Sequence, residues 1–431
     1  MQRVFSHIHF TKTEWMVLGV LAAFILLFFK PVVAGDGFGY YVILEGAVRY
    51  QTLNLSEQLH YNDITFGPTV WLHPMTQKYV SQYAPGLPLL SAPIYAFSLV
   101  LDDVSVFHLK DAFFLEERGD IVIHMASVPL TSLVLLGLGM IAILRMMHHL
   151  GMEKEGAFAL LLTFFGSPIT RYATYDLSYT HVAEAGILAL ALYYFFKNEA
   201  WKTGAFLGLM TLVRYTSLAF AVPLTVYYFW KGRRQEAMTM IASMVPFIAF
   251  AMLWSWVQFG SPLATGYSQA SNLADNMDWP VHMPRVLFSL EGNPPGLLWW
   301  SPLLFASFAG LWVWKDDRKW VLMGLAVMLL LVTGSFFKGT TGFSFSNRYF
   351  VSLLPVFVVG SAVMLKNKQG RWMGMLALYG LVLFLLTLSN DWGHFPTITE
   401  VWSHWFTEGH LAEFPQAIID KLGFVRFLTG K

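Results

Sequence analysis

The feature that most restricts this chain is a series of apolar runs, each close to twenty residues, repeated along nearly its whole length. A helix crossing a hydrocarbon core needs about 20 apolar residues, with roughly 17–25 as the common range. Residues 15–34, 121–144, 237–257, 296–314, 320–337, 349–365 and 372–388 meet that length. Shorter or interrupted runs occupy 156–169, 179–196, and the pair 203–213 and 215–230 on either side of Arg214. The chain is 56% hydrophobic and 13% charged, where soluble domains run at roughly 45–50% apolar and about 25% charged. A soluble globule is excluded, and the length of 431 residues describes one bundle rather than several soluble domains. The expected fold is an all-α polytopic membrane protein of about 11 transmembrane helices.

The sequence contains no cysteine, so no disulfide framework, thiolate nucleophile or thiolate metal site is available. A net charge of +1 without a basic run points to no nucleic-acid partner. Arg3 and Lys12 precede the first apolar run, which lacks a small-residue cleavage site; it reads as the first helix rather than as a removed signal peptide.

Lysine and arginine near helix ends are retained on the cytoplasmic side. Arg145 with Lys154, Lys197 with Lys202, Lys231 with Arg233 and Arg234, Lys315 with Arg318 and Lys319, and Lys366 with Lys368 and Arg371 all fall in alternate linkers. Those linkers and the N-terminus are therefore expected in the cytoplasm. Residues 86–101 are also apolar, but counting them as a span would invert every later linker. Pro85, Pro88 and Pro93 argue instead for a helix lying in or dipping into the outer interface, since proline disrupts a helix interior. All of 35–120 then forms one long extracytoplasmic loop, far beyond connector length and expected to be functional. Glu116, Glu117 and Asp120 within it read as an interfacial charge run. The chain divides into a module at 1–257, further helices and outer loops at 258–388, and an interfacial extracytoplasmic tail at 389–431.

The most informative stretch is Gly35-Asp36-Gly37-Phe38-Gly39-Tyr40-Tyr41, at the outer end of the first helix. Three glycines let the backbone turn tightly and approach a ligand. A carboxylate at the water–membrane boundary can take a proton from an attacking hydroxyl. Gly-Asp-Gly is also ordinary turn chemistry, and on the residues alone both readings stand.

The chain resembles the GT-C superfamily of integral membrane glycosyltransferases, in particular the bacterial branch related to protein O-mannosyltransferases and lipid A aminoarabinose transferases. The resemblance rests first on Asp36 with Tyr40 and Tyr41 just after the first helix. It continues in the segment from Tyr83 through Pro85-Gly86 to Pro93, and in Ser178-Tyr179-Thr180-His181 opening a helix. Further matches are Gly208 to Arg214, Phe259 to Tyr267, and Asn347-Arg348-Tyr349 leading to Leu354-Pro355. These cover most of the chain up to about Lys366. The resemblance implies transfer of a sugar from a polyprenyl-phosphate-linked donor to a glycan, lipid or protein acceptor, at the outer face of a bacterial cytoplasmic membrane and with inversion, with Asp36 as the catalytic base. The chain carries Asp36-Gly37 where many of the family carry an acidic pair, so no role here rests on a second neighbouring carboxylate.

A lipid-phosphate leaving group calls for cations near the outer interface. Arg214 interrupts an apolar run, at a cost of roughly 2.5–3.5 kcal/mol on insertion scales, and an intramembrane arginine is a functional candidate by default. The bland reading pairs it with Asp176 or Glu184. Lys78 and Arg348 lie beside family-like motifs in outer segments, though an outward cation is as readily a headgroup contact. His181, at a helix start, is expected to touch the carrier phosphate or a sugar hydroxyl, with Asp176 either orienting it or pairing with Arg171. Tyr40, Tyr41, Tyr83 and Tyr267 are the expected cleft residues. His60, Asp63 and His73 show no ligand spacing, so no metal is assigned; a divalent ion, if used, would serve the phosphate as a Lewis acid. The alternative function is a transporter or flippase of a lipid-linked or small polar substrate.

Overall fold

The computed structural model describes residues 10–30, 33, 35–64, 69–103, 124–270, 282–290, 296–335, 346–368, 370–388 and 397–422. The acidic run at 116–120 lies outside them.

Within the described residues, each apolar run contributes helix. Helix α1 (Lys12–Phe28) starts on a capping box: the Glu14 amide donates to Thr11 Oγ1 at 3.2 Å, and Thr11 N–H donates to Glu14 Oε2 at 2.7 Å. Glu14 is fully buried and its other oxygen lies 2.6 Å from His148 Nε2, so a carboxylate in an apolar helix is satisfied by its own cap and by a neighbour. Next come α2 (Asp36–Val48), α3 (Gly86–Asp103), α4 (Ser127–His149), α5 (Glu153–Phe165), α6 (Thr180–Phe196) and α7 (Ala200–Val213). The second half holds α8 (Ala221–Trp230), α9 (Arg234–Phe259), α10 (Pro302–Val313), α11 (Lys319–Ser335), α12 (Leu354–Lys366) and α13 (Gly370–Leu388). Among the described residues, four stretches are long and apolar enough by themselves to cross a membrane: Ser127–His149, Arg234–Phe259, Arg348–Lys366 and Gly370–Leu388.

Two breaks matter later. The run 203–230 does not continue through Arg214. There the backbone is extended (φ −154°, ψ 119°), and a 3-10 turn, Tyr215–Phe220, intervenes before α8. Likewise a 3-10 turn, Arg348–Leu353, precedes α12.

Helix α4 packs against α6, α7 against α6 and α9, and α12 against α5 and α10. At the α4–α6 crossing a Cβ on Gly139 would press on the Gly186 backbone. Without a hydrophobic drive between helices in lipid, such small residues are what let two backbones pack closely.

The basic linkers meet at one end of the bundle. His148 bonds Glu14, Arg233 Nη1 donates to Asn198 at 2.7 Å, Lys231 Nζ to Asp317 at 2.5 Å, and the Arg318 guanidinium covers the Phe196 ring. Trp15, Trp201, Trp230, Trp312, Trp320 and Trp372 are exposed near these linkers, as in the aromatic belt of a membrane interface.

At the other end, α3 runs across the bundle. Its Gly86 abuts the Leu212–Val213 backbone at the end of α7, while its Ser98 bonds His124, just before α4, at 2.8 Å. Both points belong to the end opposite the basic linkers, although about 18 Å of helix separates them. The prolines therefore do not abolish this helix: Pro88 sits in its first turn and Pro93 inside it. Beside it the first loop forms a small hairpin, β1 (Trp71–Leu72) antiparallel to β2 (Tyr79–Val80). The tail closes the same end. Its Trp405 is buried and donates from Nε1 to the Leu386 carbonyl, near the end of α13, at 3.0 Å.

Candidate active site

A cavity of about 450 Å³ opens at the end opposite the basic linkers. Asp36 is the first residue of α2 and reaches into it with a side chain 28% exposed. The turn that puts it there depends on Gly35, which has φ +50° and whose Cβ would collide with the Tyr179 hydroxyl. One turn further along α2, a Cβ on Gly39 would strike the Tyr83 ring. Glycine at 39 is what lets that ring lie against α2 and aim its hydroxyl at Asp36.

Both carboxylate oxygens of Asp36 are held. Tyr83 donates from its hydroxyl to Oδ1 at 3.2 Å, and Arg348 Nη2 lies 3.0 Å from Oδ2. Arg348 sits at the 3-10 turn before α12 with its guanidinium against the Tyr179 ring, and its buried Nε has no partner among the described residues. Tyr83 packs between Tyr40, 4.8 Å away by ring centroids, and Tyr267, 5.9 Å away. Burial, reinforced by the Asp36 charge, holds the Tyr83 phenol well above its ordinary value, and burial does the same for Tyr267.

The second cation, Arg214, lines the same cavity from the α7 break. Its Nε donates to Thr216 Oγ1 at 3.1 Å, its Nη1 lies 3.0 Å from His181 Nδ1 and 3.7 Å from Glu184 Oε2, and its guanidinium stacks 4.5 Å from the Tyr349 ring. Glu184 is itself buried. It accepts from Ser217 and, at 3.1 Å, from Ser352, and lies 3.4 Å from His181 Nδ1. A buried charge stripped of its partners costs about 3–5 kcal/mol, and these contacts are what allow the ion pair to stand here. Val213, Phe220, Leu329 and Val332 add an apolar stretch to the wall.

Of the expected residues, Asp36, Arg214, Arg348, Tyr40, Tyr83 and Tyr267 line this one cavity. His181 is buried behind Arg214 as its support. Asp176 pairs with Arg171 at 2.8 Å, so the partner of Arg214 is Glu184. Two residues lie elsewhere. Tyr41 follows Tyr40 by one position, about 100° around the helix, and turns away to bond Glu45 at 3.4 Å and pack on Tyr95. Lys78 is carried by the hairpin to the end of α9, where it donates to the Val257 carbonyl at 3.2 Å. Tyr349 and Thr216 were not foreseen from the sequence. Glu184 was foreseen only as an ion-pair partner, although a lone acid within an apolar run is itself the signal. The cavity also draws on residues from both sides of position 257.

No protein-family model matches the chain, and no curated protein sequence does. Among solved structures, the chain is similar over 96% of its length to apo ArnT from Cupriavidus metallidurans, with a TM-score of 0.52, 13% identity and 75% of that chain covered. Against the same protein bound to undecaprenyl phosphate the values are 97%, 0.50, 14% and 76%. A further similarity, at a TM-score of 0.44 and 13% identity over 86% of this chain and 52% of the other, is to the oligosaccharyltransferase of Archaeoglobus fulgidus. At such identities the ArnT likeness establishes a shared fold, and the all-helical membrane architecture expected from the sequence is borne out.

Proposed function

We propose that this chain is a membrane glycosyltransferase that moves a sugar from a polyprenyl-phosphate-linked donor to an acceptor hydroxyl at the extracytoplasmic face, with Asp36 as general base. The observation that carries this reading is the Asp36 carboxylate, held by Tyr83 and Arg348 at the wall of a cavity whose other wall presents Arg214. The fold shared with a protein that has been crystallised with undecaprenyl phosphate supports a polyprenyl-phosphate carrier. Collection of the basic linkers at the opposite end supports an extracytoplasmic cavity.

In this mechanism the acceptor hydroxyl gives its proton to Asp36 as its oxygen attacks the anomeric carbon. The bond from that carbon to the carrier phosphate breaks, and the electron pair leaves with polyprenyl phosphate. Single displacement inverts the anomeric centre. Two arginines stabilise the departing charge. Arg214 is fixed by Glu184 and His181, whereas Arg348 holds Asp36 in the resting protein and turns its unpartnered Nε toward the phosphate once the donor arrives. The apolar wall receives the first isoprene units. The acceptor is a glycan, a lipid or a protein.

The test uses full-length protein in detergent, a bacterial polyprenyl-phosphate-sugar pool and undecaprenyl phosphate as the binding probe. Asp36→Asn should lower sugar transfer by about 10²–10⁴-fold while undecaprenyl phosphate still binds. Transfer at the wild-type rate in that variant rules out Asp36 as the base. Movement of lipid-linked sugar across vesicles without a new glycosidic bond would make the protein a flippase.

A further inference from the structure

Outside the cavity, the tail carries a second cluster of side chains. A π-helical turn, Ser403–Thr407, leads to Glu408, and Gly409, at φ +86°, reverses the chain so that the 3-10 turn His410–Glu413 folds back upon it. The reversal stacks the rings of His404 and His410, with centroids 4.4 Å apart and 13° between planes. Glu408 Oε2 lies 3.6 Å from His404 Nδ1 and 4.0 Å from His410 Nε2. These separations are too long for hydrogen bonds. They are near the spacing of about 3.3 Å or more that two ligands keep when each sits about 2.0–2.1 Å from one tetrahedral zinc ion, and because an imidazole binds in its own plane, one of the stacked rings turns about its Cβ–Cγ bond when the ion enters.

The atoms behind the cluster fix which ligand atom His410 and Glu408 offer. Glu413 Oε1 lies 3.2 Å from His410 Nδ1, which leaves Nε2 to face the cluster. Ser403 donates to Glu408 Oε1 at 3.1 Å, which leaves Oε2 to do the same. A carboxylate behind a ligating imidazole is a recurrent support of metal sites, because it sets the tautomer and the ring orientation. All the ligand atoms lie within 4.8 Å of one another, and partial exposure of the three residues lets water complete a coordination shell.

We propose that His404 Nδ1, Glu408 Oε2 and His410 Nε2 together bind one divalent transition ion of the zinc class. Two imidazoles with a single carboxylate favour such an ion over magnesium or calcium, which prefer oxygen ligands. None of the three lines the cavity, so the site is independent of sugar transfer. The ion ties the π-helical turn to the segment leading into the terminal helix α14 (Phe414–Lys421), whose Phe414 packs on Trp405, the residue that anchors the tail to the end of α13.

The experiment is titration of tag-free, chelator-stripped full-length protein in detergent, with Co2+ followed by visible absorption and Zn2+ by calorimetry. About one equivalent should bind, Mg2+ should not compete, and Zn2+ should raise the melting temperature. His404→Ala combined with His410→Ala should weaken binding by more than about 100-fold and abolish that rise, with an unchanged metal-free melting temperature showing that the variant folds. Glu408→Gln, which keeps the side-chain shape, reads the same site with less disturbance. Wild-type protein that takes up no more Zn2+ than the double variant overturns the proposal, as does Mg2+ displacing the ion.

Discussion

Tyr83 reports on the site more cleanly than any charged residue, because its ring and its hydroxyl do separate things. The ring fills the space that Gly39 leaves and packs on Tyr40 and Tyr267, whereas the hydroxyl donates only to Asp36 among the bonds described for it. Tyr83→Phe should therefore keep its thermal stability and lose sugar transfer by about tenfold, the equivalent of one hydrogen bond of about 1.5 kcal/mol to a charged group. Burial holds the Tyr83 phenol well above its ordinary value, so the hydroxyl stays protonated and donating through the alkaline assay range. The same variant should then leave the alkaline limb of the pH–rate profile where it was; a shifted limb would mean that the phenol titrates. At this scale the sequence was a partial guide. Asp36, Arg214 and Arg348 stood out by residue type and position. Tyr41 and Lys78 did not reach the cavity, since a helix turn and a hairpin direction decide where a side chain points and neither is written in a motif. Glu184 is a lone acid in an apolar run, yet its two serine partners come from segments 33 and 168 residues away.

Among elements, hydropathy found the helices and charge counting set aside the proline-rich run, which proved to be a helix touching one end of the bundle at two separated points. The interruption at Arg214 was legible as a charge between two apolar runs, but the extended backbone there was not. No glycine or proline marks it, and the extended backbone there is held by contacts of the arginine with Thr216 and His181 that exist only in the folded bundle. The chain has no cysteine, so single cysteines introduced at Leu89, Val100 and Lys231 can be mapped with a membrane-impermeant maleimide. Leu89 and Val100, both exposed on α3, should react from the extracytoplasmic side in sealed vesicles, and position 231 only from the other. Labelling of Leu89 and Val100 from opposite sides would make α3 a span and invert the orientation argued from the charges.

For the whole molecule, the cavity is built where α2, α7, α11 and the turn before α12 end together. It therefore depends on how the bundle sits in the bilayer. Among the described residues the exposed tryptophans gather mainly beside the basic linkers, with Trp256, Trp299 and Trp402 exposed toward the other end. Interfacial tryptophans hold a protein at a fixed depth, so the linker end is the datum from which the rest of the molecule is measured. A thinner or thicker hydrocarbon layer then displaces the lipid surface at the cavity mouth rather than at the anchored end. Reconstitution in phosphatidylcholines of increasing acyl length should give a transfer rate with a single optimum, while the melting temperature changes little. A rate indifferent to acyl length would mean that the donor does not enter from the bilayer. On the proposed reaction, the anchored belt acts as a depth gauge, and the chain length of the surrounding lipid sets how far a carrier headgroup must rise or sink to meet Asp36.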